Sequence, residues 1–85
     1  MNIRTLKKII NEKISFLIED VYVWQLMNDD KMEKGEEIID KAIDLFDELI
    51  EKVNAGKKAE NKKEYFRGIH RSLDEQLGKL KAMME

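Results

Sequence analysis

The sequence contains no cysteine and no proline, and a single histidine. Lack of cysteine excludes disulfide staples, thiolate metal sites and thiol nucleophiles together. Lack of proline means that no residue has its φ locked or its backbone donor removed, so long helices can run uninterrupted. There is also no long hydrophobic run. The longest nearly apolar window, Ile14 to Met27, is broken by Glu19 and Asp20. It is too short and too charged to cross a bilayer, and no small-residue cleavage site follows it. The expected location is cytoplasmic, with no membrane partner. Nor is there a strong excess of one charge. The net charge of −2 gives no global pull toward nucleic acid or anionic lipid.

What is present points to helices. Hydrophobic residues make up 42% of the chain, too many for a disordered tail, and charged residues 40%, well above the usual quarter. Three segments carry apolar residues at spacings of three and four. The first spans about 2–27, with Ile3, Leu6, Ile10, Ile14, Leu17, Val21 and Trp24 in one stripe. Asn28-Asp29-Asp30 interrupts it, and Asp30 with Glu33 three residues on reads as a capping-box-like start. The second segment spans about 31–54. Met32, Ile39, Ala42, Phe46, Leu49 and Val53 form its seam, widened by Ile38, Ile43, Leu45 and Ile50. Asn54-Ala55-Gly56 is the expected stop, with Gly56 in the left-handed conformation, before a polar loop over Lys57 to Glu60. Asn61 with Glu64 repeats the capping signal. The third segment, about 61–84, carries Phe66, Ile69, Leu73, Leu77, Leu80 and Met84. Short connections between helices of nearly equal length favour antiparallel neighbours. The expected fold is all-α, one domain over 1–85: an antiparallel, up-down-up three-helix bundle that dimerises through its first helix. A core of this size without staples raises the expectation of self-association or partner binding.

On a helical wheel the first helix has a second apolar stripe. Ile9, Phe16, Val23 and Met27 lie about 100° from the first stripe, with Lys13 and Asp20 between. Ile9, Phe16 and Val23 recur every seven residues, the period at which a packed partner helix reads them. Leaving Phe16 and Val23 in water would forgo about 1.5–3 kcal/mol each. Either both stripes face the helix's own two neighbours, or the second belongs to a homodimer or a protein partner. Ile18, Tyr22 and Leu26 add further apolar surface elsewhere on the wheel. The expected interface is Ile9, Phe16, Val23 and Met27, with Tyr22 and Leu26 next. The corresponding function is a non-catalytic helical protein–protein interaction module, self-associating, in a small regulatory or accessory role.

Two other functions have residues that could carry them. Glu33, Glu36, Glu37, Asp40, Asp44, Asp47, Glu48 and Glu51 crowd one face of the second helix. Carboxylates so spaced hold Mg²⁺ when they converge in a pocket, but these point away from the apolar seam, as a solvated face does. Glu37-Ile-Ile-Asp40 resembles the short E-x-x-D element of the all-α nucleotide pyrophosphohydrolases of the MazG type. That resemblance implies a metal-dependent hydrolase using Glu37 and Asp40. The family also uses an E-x-x-E pair on the preceding helix, and the first helix has none, since Glu19 and Asp20 are adjacent and Glu12 lies seven residues before Glu19. A second alternative is nucleic-acid binding through Lys63, Arg67 and Arg71, which share one side of the third helix. An acidic chain disfavours it, and the basic edge has another use in meeting the acidic face of the second helix.

His70 borders the apolar stripe of the third helix. No Glu or His stands three or four residues before it, so the inward Glu-x-x-His pair of di-iron bundles is missing. His70-Arg71-Ser72-Leu73 resembles a histidine-kinase dimerisation motif, but Arg71 occupies the place of that motif's acidic residue. Ser15 and Ser72 have no local histidine–carboxylate partners. No catalytic residues, metal ligands or cofactors are expected. Gly35, Gly68 and Gly78 fall inside helical segments, where each costs about 1 kcal/mol relative to alanine.

Overall fold

The computed structural model describes residues 2–84 and consists of three helices joined by two tight connections. They are α1 (Ile3–Met27), α2 (Met32–Ala55) and α3 (Lys62–Ala82), with single 3₁₀ turns at Asp29–Lys31 and Gly56–Lys58. The up-down-up three-helix bundle is the fold that the periodicity predicts. α1 packs most extensively on α2, and α3 closes the remaining side of both.

One core runs the length of the bundle. α1 contributes Leu6, Ile10, Ile14, Leu17 and Val21; α2 contributes Ile38, Ala42, Leu45, Leu49 and Val53; α3 contributes Phe66, Ile69, Leu73, Leu77 and Leu80. Each set advances by three or four residues, keeping one stripe turned inward as the helix winds at 3.6 residues per turn. Burial of each Leu or Ile is worth about 1.5–3 kcal/mol, so the stripes rather than intrinsic propensity hold the helices.

Three details of that core differ from the sequence expectation. Ile3 and Trp24 are only half-buried, whereas Gln25 is buried. Its Nε2 donates to the Met32 carbonyl at 2.9 Å, so the amide is satisfied and ties the α1–α2 connection together. The α2 seam is centred on Gly35, Ile38, Ala42, Leu45, Leu49 and Val53, with Ile39, Phe46 and Ile50 half-buried on its edge. Met32 and Ile43, assigned to the core by spacing alone, are about half exposed. The broad apolar arc of α2 is wider than two neighbours can cover.

The helix ends also differ. Asp30 does not cap α2. The chain passes through the 3₁₀ turn, Lys31 stands at the cap position without a side-chain hydrogen bond, and the Lys31 N–H donates to the Asn28 carbonyl instead. Asn28 breaks α1 with φ −139°, ψ 83°, while its Nδ2 donates to the Trp24 carbonyl at 2.9 Å. The stop after α2 does not use a left-handed Gly56. That residue has φ −66°, ψ −11°, and the backbone turns extended only at Ala59. Gly56 is there for space: a Cβ on it would meet the rings of Tyr65 and Phe66 at 2.6 Å. At the start of α3, Asn61 caps as its spacing predicts, its Oδ1 accepting from the Glu64 N–H at 3.1 Å. Asn2 does the same for α1, accepting from Thr5 N–H at 2.8 Å.

Candidate interaction surface

Among the described residues seven large hydrophobic side chains remain exposed: Phe16, Tyr22, Val23, Leu26, Met27, Met32 and Ile43. All lie between residues 16 and 43, on the second half of α1 and the first half of α2. Leu26 and Met27 are 81% and 78% exposed, so α1's own neighbours do not cover the additional apolar faces of this helix. Ile9 is the exception among the expected interface residues, being half-buried and packed on the core.

The register of α3 contributes to this. Lys13 Nζ lies 2.8 Å from Asp74 Oδ1, and Phe16 shares a shallow depression with Leu77 and Gly78. Counting residue for residue from that contact along two parallel helices, Ala82, the last residue of α3, falls near the level of Val21. The final turn of α1 and the connection to α2 project past it. At this projecting end the two chain segments approach closely. A Cβ on Gly35 would stand 2.2 Å from Gln25 Nε2 and 2.5 Å from its Cγ and Cδ, so only glycine lets Gln25 lie flat against α2. Gly68 and Gly78 have no such neighbour.

The six expected interface residues do not form one surface. Phe16 borders α3, beside Lys13, Asp74 and Lys81. Val23 and Met27 continue its stripe along α1. Tyr22 and Leu26 are on the other side of α1, where with Met32 and Ile39 of α2 they line an open groove of about 590 Å³. Gln25 is at its floor and Glu36 and Asp40 at its edge. Met32 and Ile39 were missed as surface residues because spacing alone assigns them to the core. The signal available in the sequence was the short connection, which sets Met32 across from Leu26.

Charge is divided along the bundle. Residues 19–40 hold eight carboxylates and two lysines, whereas residues 2–13 and 52–67, which meet at the opposite end, hold ten Lys/Arg and three Glu. The exposed apolar side chains are therefore concentrated in the acidic half.

The other sequence-derived sites stay dispersed. Among the described residues no group of three or more His, Asp or Glu is placed to hold a metal ion. Glu37 is exposed and pairs with Lys41 at 3.5 Å, and Glu48 pairs with Lys52 at 3.1 Å. Lys63 and Arg67 border a small depression with Phe66 and His70, but Arg67 is bound to Glu64 at 3.2 Å and Arg71 lies outside. His70 Nδ1 stands 3.6 Å from Asp74 Oδ2. The hydrogen bond from Lys13 is the main reason that the Asp74 carboxyl lies below the usual aspartate range; desolvation opposes it, and the Lys13, His70 and Lys81 charges add to the lowering. No helix is long and apolar enough to cross a membrane among the described residues. Comparison with known protein families, with curated proteins and with solved structures finds no match.

Proposed function

We propose that the chain is a non-catalytic helical interaction module that self-associates through α1. The observation carrying this reading is the exposure of Phe16, Val23 and Met27, at 62%, 54% and 78%, along one stripe of a single helix. Monomeric proteins seldom leave a contiguous row of large apolar side chains in water. The seven-residue spacing of Ile9, Phe16 and Val23 suits an antiparallel helix pair centred on Phe16, in which Ile9 sits opposite Val23 of the second copy. In that orientation the basic start of α1, with Arg4, Lys7 and Lys8, approaches the acidic Asp29 and Asp30 of the other copy. A two-fold arrangement repeats each favourable pairing twice.

Solution mass tests the reading. The native chain is expected near twice its 10.1 kDa, and the double variant Phe16→Glu, Val23→Glu at the single mass with unchanged helicity. A native chain that stays single at high concentration would overturn it.

A further inference from the structure

We infer that the groove between α1 and α2 receives a cationic amphipathic helix from a different polypeptide. The inference rests on the reading of this chain as an interaction module, but uses a surface separate from the Phe16 stripe and does not require self-association.

The shape comes from the bundle. α3 fills one of the two long grooves that the α1–α2 pair presents, and the opposite one is left open. Tyr22 and Leu26 line it from α1, Met32 and Ile39 from α2. Ile43 follows Ile39 by four residues and is 47% exposed, extending the apolar strip along α2. Side chains on two antiparallel helices, spaced one turn apart, are what a third helix reads with residues at i, i+3, i+4 and i+7. Met32 adds an unbranched, polarizable side chain that adapts to different apolar contacts.

The charge of the guest follows from the rims. Glu36 and Asp40 stand at the α2 edge, and Asp47 continues that edge two turns on. On α1, Glu19 precedes Tyr22 by three residues and Leu26 by seven, on the outer side of both. Of the nearby lysines, Lys41 is turned to Glu37 and Lys31 to Asp30. A guest with Lys or Arg flanking its apolar stripe would meet carboxylates on both sides.

A second copy of this chain does not meet these requirements. Its basic end carries no exposed large hydrophobic side chain among the described residues; Tyr22, Val23, Leu26, Met27 and Met32 lie within the acidic stretch 19–40, and Phe16 and Ile43 just outside it. Two copies joined through this groove would therefore bring two acidic rims together, which costs association free energy.

The test uses two labelled 18-residue peptides, one of leucine and lysine in an amphipathic helical pattern, the other with glutamate for lysine. Fluorescence anisotropy is read in about 150 mM salt, where long-range attraction is screened. The native chain is expected to bind the lysine peptide at least tenfold more tightly than the glutamate peptide. Leu26→Gln and Met32→Gln should each weaken that binding about fivefold or more, and Glu36→Lys with Asp40→Lys at least tenfold. Phe16→Gln should leave it unchanged. Equal affinity for both peptides, full binding by Leu26→Gln, or an equal loss in Phe16→Gln would overturn the groove, the second by showing adsorption to an acidic surface alone. Because solution mass reports on Phe16 and Val23, self-association can fail while the groove stands, or the reverse.

Discussion

The two ends of the bundle solve the same problem differently. Where α2 meets α3, Gly56 makes room for Tyr65 and Phe66, whose rings meet edge to face at 5.9 Å and 74°. The Tyr65 hydroxyl donates to the Lys52 carbonyl at 3.0 Å, a second donor beside the Gly56 N–H that this carbonyl receives at the end of α2. Aromatic surface, polar atom and helix terminus are closed together. Where α1 meets α2, Gly35 makes room for an amide, Gln25, and the hydrogen bond to Met32 satisfies the connection. The large apolar side chains there, Leu26, Met27 and Met32, face outward. One end is sealed by what it buries. The other is fastened by a buried polar contact and keeps its hydrophobic surface available.

Substitutions at the two ends should separate accordingly. Phe66→Ala, at the sealed end, is expected to cost about 3–5 kcal/mol or to abolish cooperative unfolding. Leu26→Ala, at the open end, should change the stability of the isolated chain by less than about 0.5 kcal/mol. Urea denaturation compares them, and similar losses at both sites would erase the distinction between a sealed and an open end.

Gly35→Ala should cost about 1–3 kcal/mol, because the new methyl must displace Gln25 and break its bond to Met32. A double variant with Gln25→Ala should recover part of that loss, and additivity of the two changes would mean that the close approach is not what requires glycine. Gly68→Ala and Gly78→Ala should instead stabilise the chain by about 0.4–1 kcal/mol each, since nothing stands within 4 Å and alanine is the better helix former. Thermal midpoints of the three single variants should therefore fall on opposite sides of the native value.

A smaller effect than at Phe66 or Gly35 is expected midway between the ends, at Lys13 and Asp74. Their side chains are 39% and 52% exposed, so solvent screening limits the pair to about 0.2–1 kcal/mol. Because Asp74 has a lowered pKa in the folded chain, its contribution is fully present above the ordinary aspartate value of about 4. It is lost as the pH falls through the lowered value. The stability difference between the native chain and Asp74→Asn should follow that course in denaturation curves recorded from neutral to acid pH. A difference that grew on acidification would contradict the pairing.

Much of the fold was legible because helices write their buried face into local spacing. Leu6, Ile10, Ile14, Leu17 and Val21 announce both the helix and the side it buries, as do Phe66, Ile69, Leu73, Leu77 and Leu80. Asn61 was readable as a cap because its partner stands three residues away. The exposed apolar residues of α1 were legible as excess: one stripe more than a helix between two neighbours needs. Their division into two surfaces was not. Leu26 and Met27 are adjacent in sequence but point about 100° apart on a helix, and which neighbour each of them borders depends on how α2 and α3 dock.

Composition and periodicity alone thus determined that this chain forms three helices with one shared core, because those properties arise from contacts a few residues apart and from the cost of exposing apolar surface. Tertiary structure decided what no local pattern encodes. It selected Gly35 and Gly56 as spacers while leaving Gly68 and Gly78 without a contact, buried Gln25, set Asp74 of α3 beside Lys13 of α1 and left an acidic-rimmed groove open between α1 and α2. Each of these depends on the register and separation of two helices, and those are settled only when the side chains of both pack at once.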